Sequence, residues 1–213
     1  MKALDNQLLT IDIFKTLFSG AMGALVVYYA PKWIKAIYYS RHPILVYQFA
    51  DSDTSQEARR IRHSFGCTVA DNDATVGVTW EHTAKRIDSG QTTCYGPYTK
   101  EIPFRGRYKA RFRVKAIGIK NIEPVLLTLD VAHGVMSSDV IGPIKLGVVL
   151  VEKHLRGSDF RDEEYKDFDV EFDYDGESLI EFRCSVLNPE KYTDNVERIL
   201  FDNVKVFPVI ELV

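Results

Sequence analysis

Residues 167–175 read DFDVEFDYD, and this stretch decides the fold. Strict alternation separates its acidic residues from the apolar ones, which are Phe168, Val170, Phe172 and Tyr174. Successive side chains of a β-strand point to opposite faces of a sheet, so a period of two predicts a strand with one face in the core and one in solvent. Asp175-Gly176 is a typical hairpin turn, and SLIEFRCSV over 178–186 supplies the returning strand.

Residues 107–115, RYKARFRVK, repeat this alternation with a basic face instead of an acidic one. The basic residues are Arg107, Lys109, Arg111, Arg113 and Lys115. This face could receive an anionic sugar or a headgroup. Alternatively, the strand lies beside an acidic one such as 167–175, where each cross-strand ion pair contributes roughly 0.2–1 kcal/mol. We favour the second interpretation.

Further apolar or alternating runs complete the domain. They cover 44–49, 76–80, 125–131, 146–155 and 199–207, and clusters of Gly, Pro, Asn and Asp separate them. No second long amphipathic helix interrupts them, so they predict an all-β fold, an antiparallel sandwich of eight or nine strands over residues 44–213. Cys184 falls in the apolar phase of 178–186, and we expect it to be a small core residue.

The composition excludes several classes of protein. The 213 residues are 46% apolar and 27% charged, which excludes a disordered or collagen-like chain. Thirty acidic and 27 basic residues leave a net charge of −3, without the basic excess that nucleic-acid binding requires. Cys67, Cys94 and Cys184 lie far apart with no CxxC pair, so neither a zinc site nor a disulfide framework is predicted. Their odd number leaves a free thiol, which favours a reducing compartment.

The N-terminal region differs from the rest, because residues 16–31, TLFSGAMGALVVYYAP, contain no charge. A helix of this length reaches roughly 24 Å, short of a bilayer core of about 30 Å, but flanking lysines can snorkel. Aromatic and basic side chains gather at the end of this run, as at a headgroup layer, and include Tyr28, Tyr29, Lys32, Trp33, Lys35, Tyr38, Tyr39 and Arg41. We therefore expect residues 1–43 to form a hydrophobic helix that anchors the protein in a membrane through residues 11–41.

Such an anchor implies a single-pass or monotopic membrane protein. Basic residues follow the apolar run in excess over those before it, so the positive-inside rule places the sandwich in the cytoplasm. The alternative is a buried helix that packs on a partner protein. Its close-contact face would consist of small residues, namely Ser19, Gly20, Gly23 and Ala24.

Motifs of enzymatic chemistry are scarce. The five histidines include no HExxH spacing, and no serine lies in a GxSxG or SxxK motif. Asp130 and His133 could form an acid–base pair, but a carboxylate near a strand end commonly caps a turn. No glycine cluster links a strand to a helix as a phosphate-binding loop does. The sequence therefore predicts a protein that is not an enzyme.

Three aromatic residues, Trp80, Tyr95 and Tyr98, lie near predicted strand ends. Flat rings at such positions can stack on sugar C–H groups while polar neighbours hold the hydroxyls. Aromatic residues of a sandwich also fill its core, and this second role remains open for each of them. We take all three as candidate ligand-binding residues.

Several segments in order resemble the jelly-roll carbohydrate-binding modules of the galactose-binding-like type. They are LVYQFADSD, GCTVADNDATVG, YGPYTKEIPFRGRYKARFRVKA, LLTLDVAHG, LRGSDF, YKDFDVEFDYDGESLIEFRCSV and ILFDNVKV, and together they span about 44 to 207. The resemblance implies a jelly roll whose ligand is a glycan, bound by loops at one end or on a concave face.

Related modules often hold a structural calcium ion between two glutamates of the first strand and an aspartate of the last. Asp202 matches that aspartate, but Gln48 and Ala50 stand where the glutamates would fall. Losing two anionic oxygens removes much of the attraction for a hard dication. We therefore expect no cofactor, with Asp202 as the one candidate metal ligand.

Two hypotheses of function follow from these observations. The first is a membrane-tethered, non-catalytic module that binds a glycan or glycolipid. The second is a jelly-roll interaction or assembly domain without a sugar site, whose helix binds a membrane or a partner protein. A cytoplasmic sandwich favours the second hypothesis.

Overall fold

The computed structural model describes residues 38–39, 41–50, 61–63, 66–82, 92–133, 147–186 and 194–209. All strands named below lie in one compact unit, Pro43–Val209. The domain limits inferred from the sequence, 1–43 and 44–213, stay a prediction.

The described elements include eleven strands and a short 3-10 helix, Gly157–Asp159, and residues 38–39, 41 and 194–195 are also helical. The strands are β1 Leu45–Gln48, β2 Arg62–His63, β3 Cys67–Ala70, β4 Val78–His82, β5 Thr92–Tyr95, β6 Gly106–Ile117, β7 Val125–His133, β8 Val149–Arg156, β9 Tyr165–Tyr174, β10 Ile180–Val186 and β11 Arg198–Pro208. The number exceeds the predicted eight or nine, because β2, β3 and β5 have four residues or fewer and show no readable period.

The strands form two antiparallel sheets, which confirms the predicted all-β class. Sheet A has the order β3-β4-β11-β6-β9, and β1 also pairs with β11. Sheet B has the order β2-β5-β10-β7-β8. The basic strand β6 and the acidic strand β9 are neighbours, with Arg111 opposite Asp169.

The two sheets enclose a common aromatic core. The Phe182 ring of sheet B lies 6.2 Å from that of Phe172 and 6.4 Å from that of Phe112, both of sheet A, measured between centroids. This confirms the strand phases predicted for β9 and β10. Cys184 is fully buried beside Cys94, and burial raises the pKa of both thiols well above its usual value. Cys184 is therefore an unreactive core residue, as predicted.

The outer faces of the sheets differ. Along β6 and β9, buried and more exposed residues alternate, as expected for a sheet with one face in solvent. Along β7 and β10 nearly every residue is buried, including those that point away from the core. The outward side chains of these two strands are nevertheless polar or charged, and they include Thr128, Asp130, Glu181 and Arg183.

The sequence-based expectation of membrane localisation is wrong. Within the described residues, no helix is long and apolar enough to cross a membrane. Of the anchor segment expected at 11–41, only residues 38–39 and 41 belong to the described part, and the remainder lies outside it. The sixteen uncharged residues behind the expectation reach only roughly 24 Å as a helix, which is less than the hydrocarbon thickness of about 30 Å.

Candidate functional site

The structure brings together two of the three candidate aromatic residues. The rings of Tyr95 and Tyr98 meet edge to face with centroids 6.5 Å apart, and both keep part of their surface exposed. Trp80 lies in β4 of sheet A, where it packs against the core and stacks on His63 with ring centroids 3.6 Å apart. Tyr95 and Tyr98 therefore share one site, and Trp80 belongs to another part of the fold.

Tyr95 belongs to a row of side chains that crosses the outer face of sheet B. In the register of β5 with β10, Cys94 lies opposite Cys184, and the Phe182 amide donates a hydrogen bond to the Gly96 carbonyl at 2.8 Å. Tyr95 therefore lies opposite Arg183. Arg183 in turn pairs with Asp130, and Asp130 pairs with Glu152. We call these four residues, Tyr95, Arg183, Asp130 and Glu152, the polar row.

A buried ion pair occupies the centre of the polar row. Nε of Arg183 donates to Oδ1 of Asp130 at 2.6 Å, and the two residues are 6% and 5% exposed. Within the described parts of the chain, neither side chain has another hydrogen-bonding partner. The terminal nitrogens Nη1 and Nη2 of Arg183 and the Oδ2 atom of Asp130 therefore stay available to a ligand. None of these three atoms is among the fully buried polar atoms that lack a hydrogen-bond partner, so each reaches the surface of the sheet.

Burial makes ionisation of the Asp130 carboxyl group less favourable. Desolvation raises the pKa of this carboxyl group, and the charge of Glu152 raises it further. The hydrogen bond and the positive charge of Arg183 act in the opposite direction without cancelling the effect of burial. A ligand hydroxyl that donates to Oδ2 would stabilise the ionised carboxylate in the way that water does outside the protein.

A second row runs beside the first, with Thr128 between Ser185 and His154. A hydrogen bond joins Thr128 Oγ1 and His154 Nδ1 at 2.9 Å, and His154 Nε2 lies 3.5 Å from Glu152 Oε1. Hydrolases align a hydroxyl, an imidazole and a carboxylate in this order. Here the hydroxyl belongs to a threonine that is only 5% exposed, and 3.5 Å is long for a hydrogen bond. The second row therefore lacks the geometry of such a catalytic triad.

The acid–base pair considered from the sequence, Asp130 and His133, is not formed. The two residues are three positions apart on β7 and so point to opposite faces of the strand. Asp130 pairs with Arg183, whereas His133 lies opposite Ile180.

The basic face of β6 is neutralised within sheet A. Arg107 contacts Glu171 at 3.0 Å, Lys109 contacts Asp169 at 3.2 Å, and Arg111 contacts Asp169 at 2.7 Å. Burial alone would raise the pKa of Asp169, but the hydrogen bonds and charges of Arg111 and Lys109 leave it below its usual value. This confirms the cross-strand interpretation favoured from the sequence.

Asp202, the candidate metal ligand, is fully buried in β11. Its carboxylate accepts hydrogen bonds from the amide and the hydroxyl of Thr75 and lies 2.9 Å from Nε of Arg113. No cluster of three or more His, Cys, Asp or Glu side chains that could hold a metal ion occurs among the described residues. Thr75 and Arg113 therefore surround the carboxylate of Asp202.

Comparisons with known proteins give structural similarity only. No protein-family model matches the chain, and no curated protein matches its sequence. A xylan-binding domain from Paenibacillus barcinonensis is 12% identical, with a TM-score of 0.47 over 80% of this chain and 96% of that one. A carbohydrate-binding module of Cellvibrio mixtus lichenase 5A, solved with cellotriose, is 13% identical, with a TM-score of 0.41 over 79% of this chain and 100% of that one.

A carbohydrate esterase from a Shiga toxin-encoding bacteriophage is also similar, at 11% identity and a TM-score of 0.47 over 79% of this chain and 99% of that one. At these values, none of the three proteins tells what this chain binds.

Proposed function

We propose that the chain is a non-catalytic carbohydrate-binding domain, a jelly roll that recognises a neutral glycan with the outer face of sheet B. The observation that carries this proposal is the Asp130–Arg183 ion pair next to Tyr95. Within the described residues, Oδ2 of Asp130 and both Nη atoms of Arg183 make no other hydrogen bond. From β5 onward the chain passes repeatedly between sheet A and sheet B, in keeping with a jelly roll.

The polar row offers the groups that hold sugar hydroxyls. A hydroxyl both donates and accepts, so a pair of neighbouring hydroxyls can donate to Oδ2 of Asp130 and accept from Nη1 or Nη2 of Arg183. Hydrogen bonds to charged groups are stronger than neutral ones, and a buried pair holds them in fixed directions. The pair therefore selects the orientation of the sugar.

Tyr95 and Tyr98 offer the apolar part of the site. Sugars carry C–H groups on their ring faces, and these groups stack on aromatic rings. Tyr95 lies opposite Arg183, so a sugar that contacts its ring reaches the guanidinium in the same row. Trp80 has no part in this site, because it lies in sheet A.

The charges of the outer face favour a neutral ligand. Asp130 and Glu152 both belong to the polar row, so an anionic ligand at Arg183 would lie beside two carboxyl groups. These carboxylates would repel a uronic acid but not an uncharged sugar.

Binding by the full chain tests the proposal, with xylohexaose and cellotriose as neutral probes in isothermal titration calorimetry. We expect binding by the wild type and a loss of at least about fivefold in Tyr95→Ala, since a stacking contact contributes roughly a kcal/mol or more. The double variant Asp130→Leu/Arg183→Met should also lose binding. It should keep its fold, because replacing both members of a buried pair by apolar side chains costs little.

The matched control is Arg107→Met, which removes a guanidinium from the outer face of sheet A. We expect this variant to bind both probes as the wild type does. Absence of binding by the wild type to both probes, or unchanged binding in Tyr95→Ala and in the double variant, would overturn the proposal.

A further inference from the structure

The turn between β3 and β4 covers part of the outer face of sheet A. Its residues 71–77 include two carboxylates, Asp71 and Asp73, and Lys115 of β6 forms an ion pair with each of them. Asp202 of β11 lies beneath the same turn, because its carboxylate accepts from the amide and the hydroxyl of Thr75. Two carboxylates therefore lie in this turn and a third lies beneath it.

Lys115 lies between the two carboxylates of the turn. Its Nζ atom is 2.5 Å from Oδ2 of Asp71 and 3.5 Å from Oδ2 of Asp73, and its side chain is only 6% exposed. The Tyr165 ring lies 4.5 Å from Nζ, and the Tyr165 hydroxyl donates to Oδ2 of Asp71 at 3.1 Å. Burial alone would raise the pKa of Asp71, but the hydrogen bond from Lys115, helped by the Asp73 amide and Tyr165, leaves it below its usual value.

Arg113 supplies the second cation, two residues earlier on β6. Its Nε atom lies 2.9 Å from Oδ2 of Asp202, and Nη2 donates to the Asp73 carbonyl at 3.3 Å. Nε–H does not point at a hydrogen-bond acceptor, so the contact with Asp202 is an ion pair held by proximity. The guanidinium also lies 4.8 Å from the Tyr165 ring. One tyrosine thus supports both cations.

We propose that Lys115 and Arg113 replace a structural divalent cation, so that the turn 71–77 is fixed on sheet A without calcium. The modules that this sequence resembles hold calcium with first-strand glutamates and a last-strand aspartate. Here Gln48 stands in the first strand, and the aspartate, Asp202, is occupied by protein groups. A divalent ion placed among these carboxylates would be repelled by two fixed positive charges.

Two neutral oxygens remain near Asp202 and do not alter this inference. Gln48 and Asn203 are cross-strand partners, and neither Gln48 Oε1 nor Asn203 Oδ1 has a hydrogen-bond partner in the described structure. Amide oxygens can contribute to a calcium site, but hard dications are held chiefly by carboxylates that are free to bind them. The carboxylate beside these oxygens is already paired.

Thermal unfolding of the full chain tests the proposal. We expect the same Tm in millimolar calcium chloride and in EGTA, and no calcium binding in isothermal titration calorimetry. Lys115→Met should lower Tm by roughly 5–10 °C, because it leaves two carboxylates of the turn without their cation. The matched control is Lys109→Met, which removes a cation from the same face of the same strand without affecting the turn, and should lower Tm by less than about 2 °C.

An engineered variant tests the replacement directly. Arg113→Gln combined with Gln48→Glu removes the cation beside Asp202 and restores one first-strand carboxylate, and we expect its Tm to rise with calcium. A wild-type Tm that rises with calcium and falls with EGTA would overturn the proposal. So would equal losses of Tm in Lys115→Met and Lys109→Met. If Lys115→Met does not fold, the effect of calcium on the wild-type Tm still tests the proposal. None of these measurements depends on glycan binding.

Discussion

Two histidines, the half-buried His63 and the buried His82, should make the stability of the fold depend on pH. Burial lowers the pKa of each imidazole from 6.5 to about 4, and for His63 a hydrogen bond with the Phe49 backbone opposes this only in part. The folded state therefore binds these protons less readily than the unfolded chain. Their stabilising effect is complete above about pH 6.5 and is lost progressively as the pH falls towards 4.

We expect the free energy of unfolding to fall by about 2 kcal/mol per imidazole between pH 6.5 and 4, after allowance for partial exposure. Urea titrations across this range measure the loss, and His63→Phe, which keeps an aromatic ring against Trp80, should reduce it by about half. Asp71 and Asp169 have lowered pKa values and add their losses only below about pH 4, whereas Asp130, with a raised pKa, acts in the opposite direction. A flat profile from pH 6.5 to 4 would contradict the prediction.

At the scale of the element, the hairpin of β9 and β10 shows how alternating apolar and polar residues contribute to stability. Phe172 is 4% exposed and Phe182 fully buried, whereas Glu171 reaches solvent and contacts Arg107. We expect Phe172→Ala and Phe182→Ala each to cost roughly 3–5 kcal/mol, the usual range for a large core aromatic. Glu171→Ala removes an exposed ion pair and should cost well under about 1 kcal/mol. Denaturant unfolding gives these values, and three equal losses would contradict the strand phases.

The length of a strand decides whether the sequence predicts it. Long alternating strands such as β6, β9 and β10 could be found with their faces, because seven or more residues give the period enough repeats. β2, β3 and β5 are too short to carry a period. Sheet order was not predictable beyond the charge match of β6 with β9, since it depends on contacts between distant segments.

At the scale of the whole molecule, the candidate site depends on this sheet order. The alternating pattern assigns Arg183 and Asp130 to a solvent face, like any outward charged residue. They are 53 positions apart, and only the order β5-β10-β7-β8 shows that they meet and that Tyr95 joins them. Tyr95 and Tyr98 could be predicted as candidates from residue type and position near strand ends. The same reasoning included Trp80, because sequence does not reveal which sheet a strand enters.

The net charge of −3 and the carboxyl groups near Arg183 lead to a prediction about the ligand of the proposed site. A neutral glycan is held by directional hydrogen bonds and stacking, neither of which salt screens appreciably. We therefore expect the affinity for xylohexaose to change less than about twofold between low and high salt.

A hexamer of galacturonic acid should bind at least about tenfold more weakly than xylohexaose at low salt, and raising the salt should narrow the difference. Titration calorimetry of both hexamers at two ionic strengths measures this. Tighter binding of the uronate at low salt, lost at high salt, would contradict a neutral ligand. It would mean that the charge of Arg183 outweighs those of Asp130 and Glu152, and that the outer face of sheet B is an anion site.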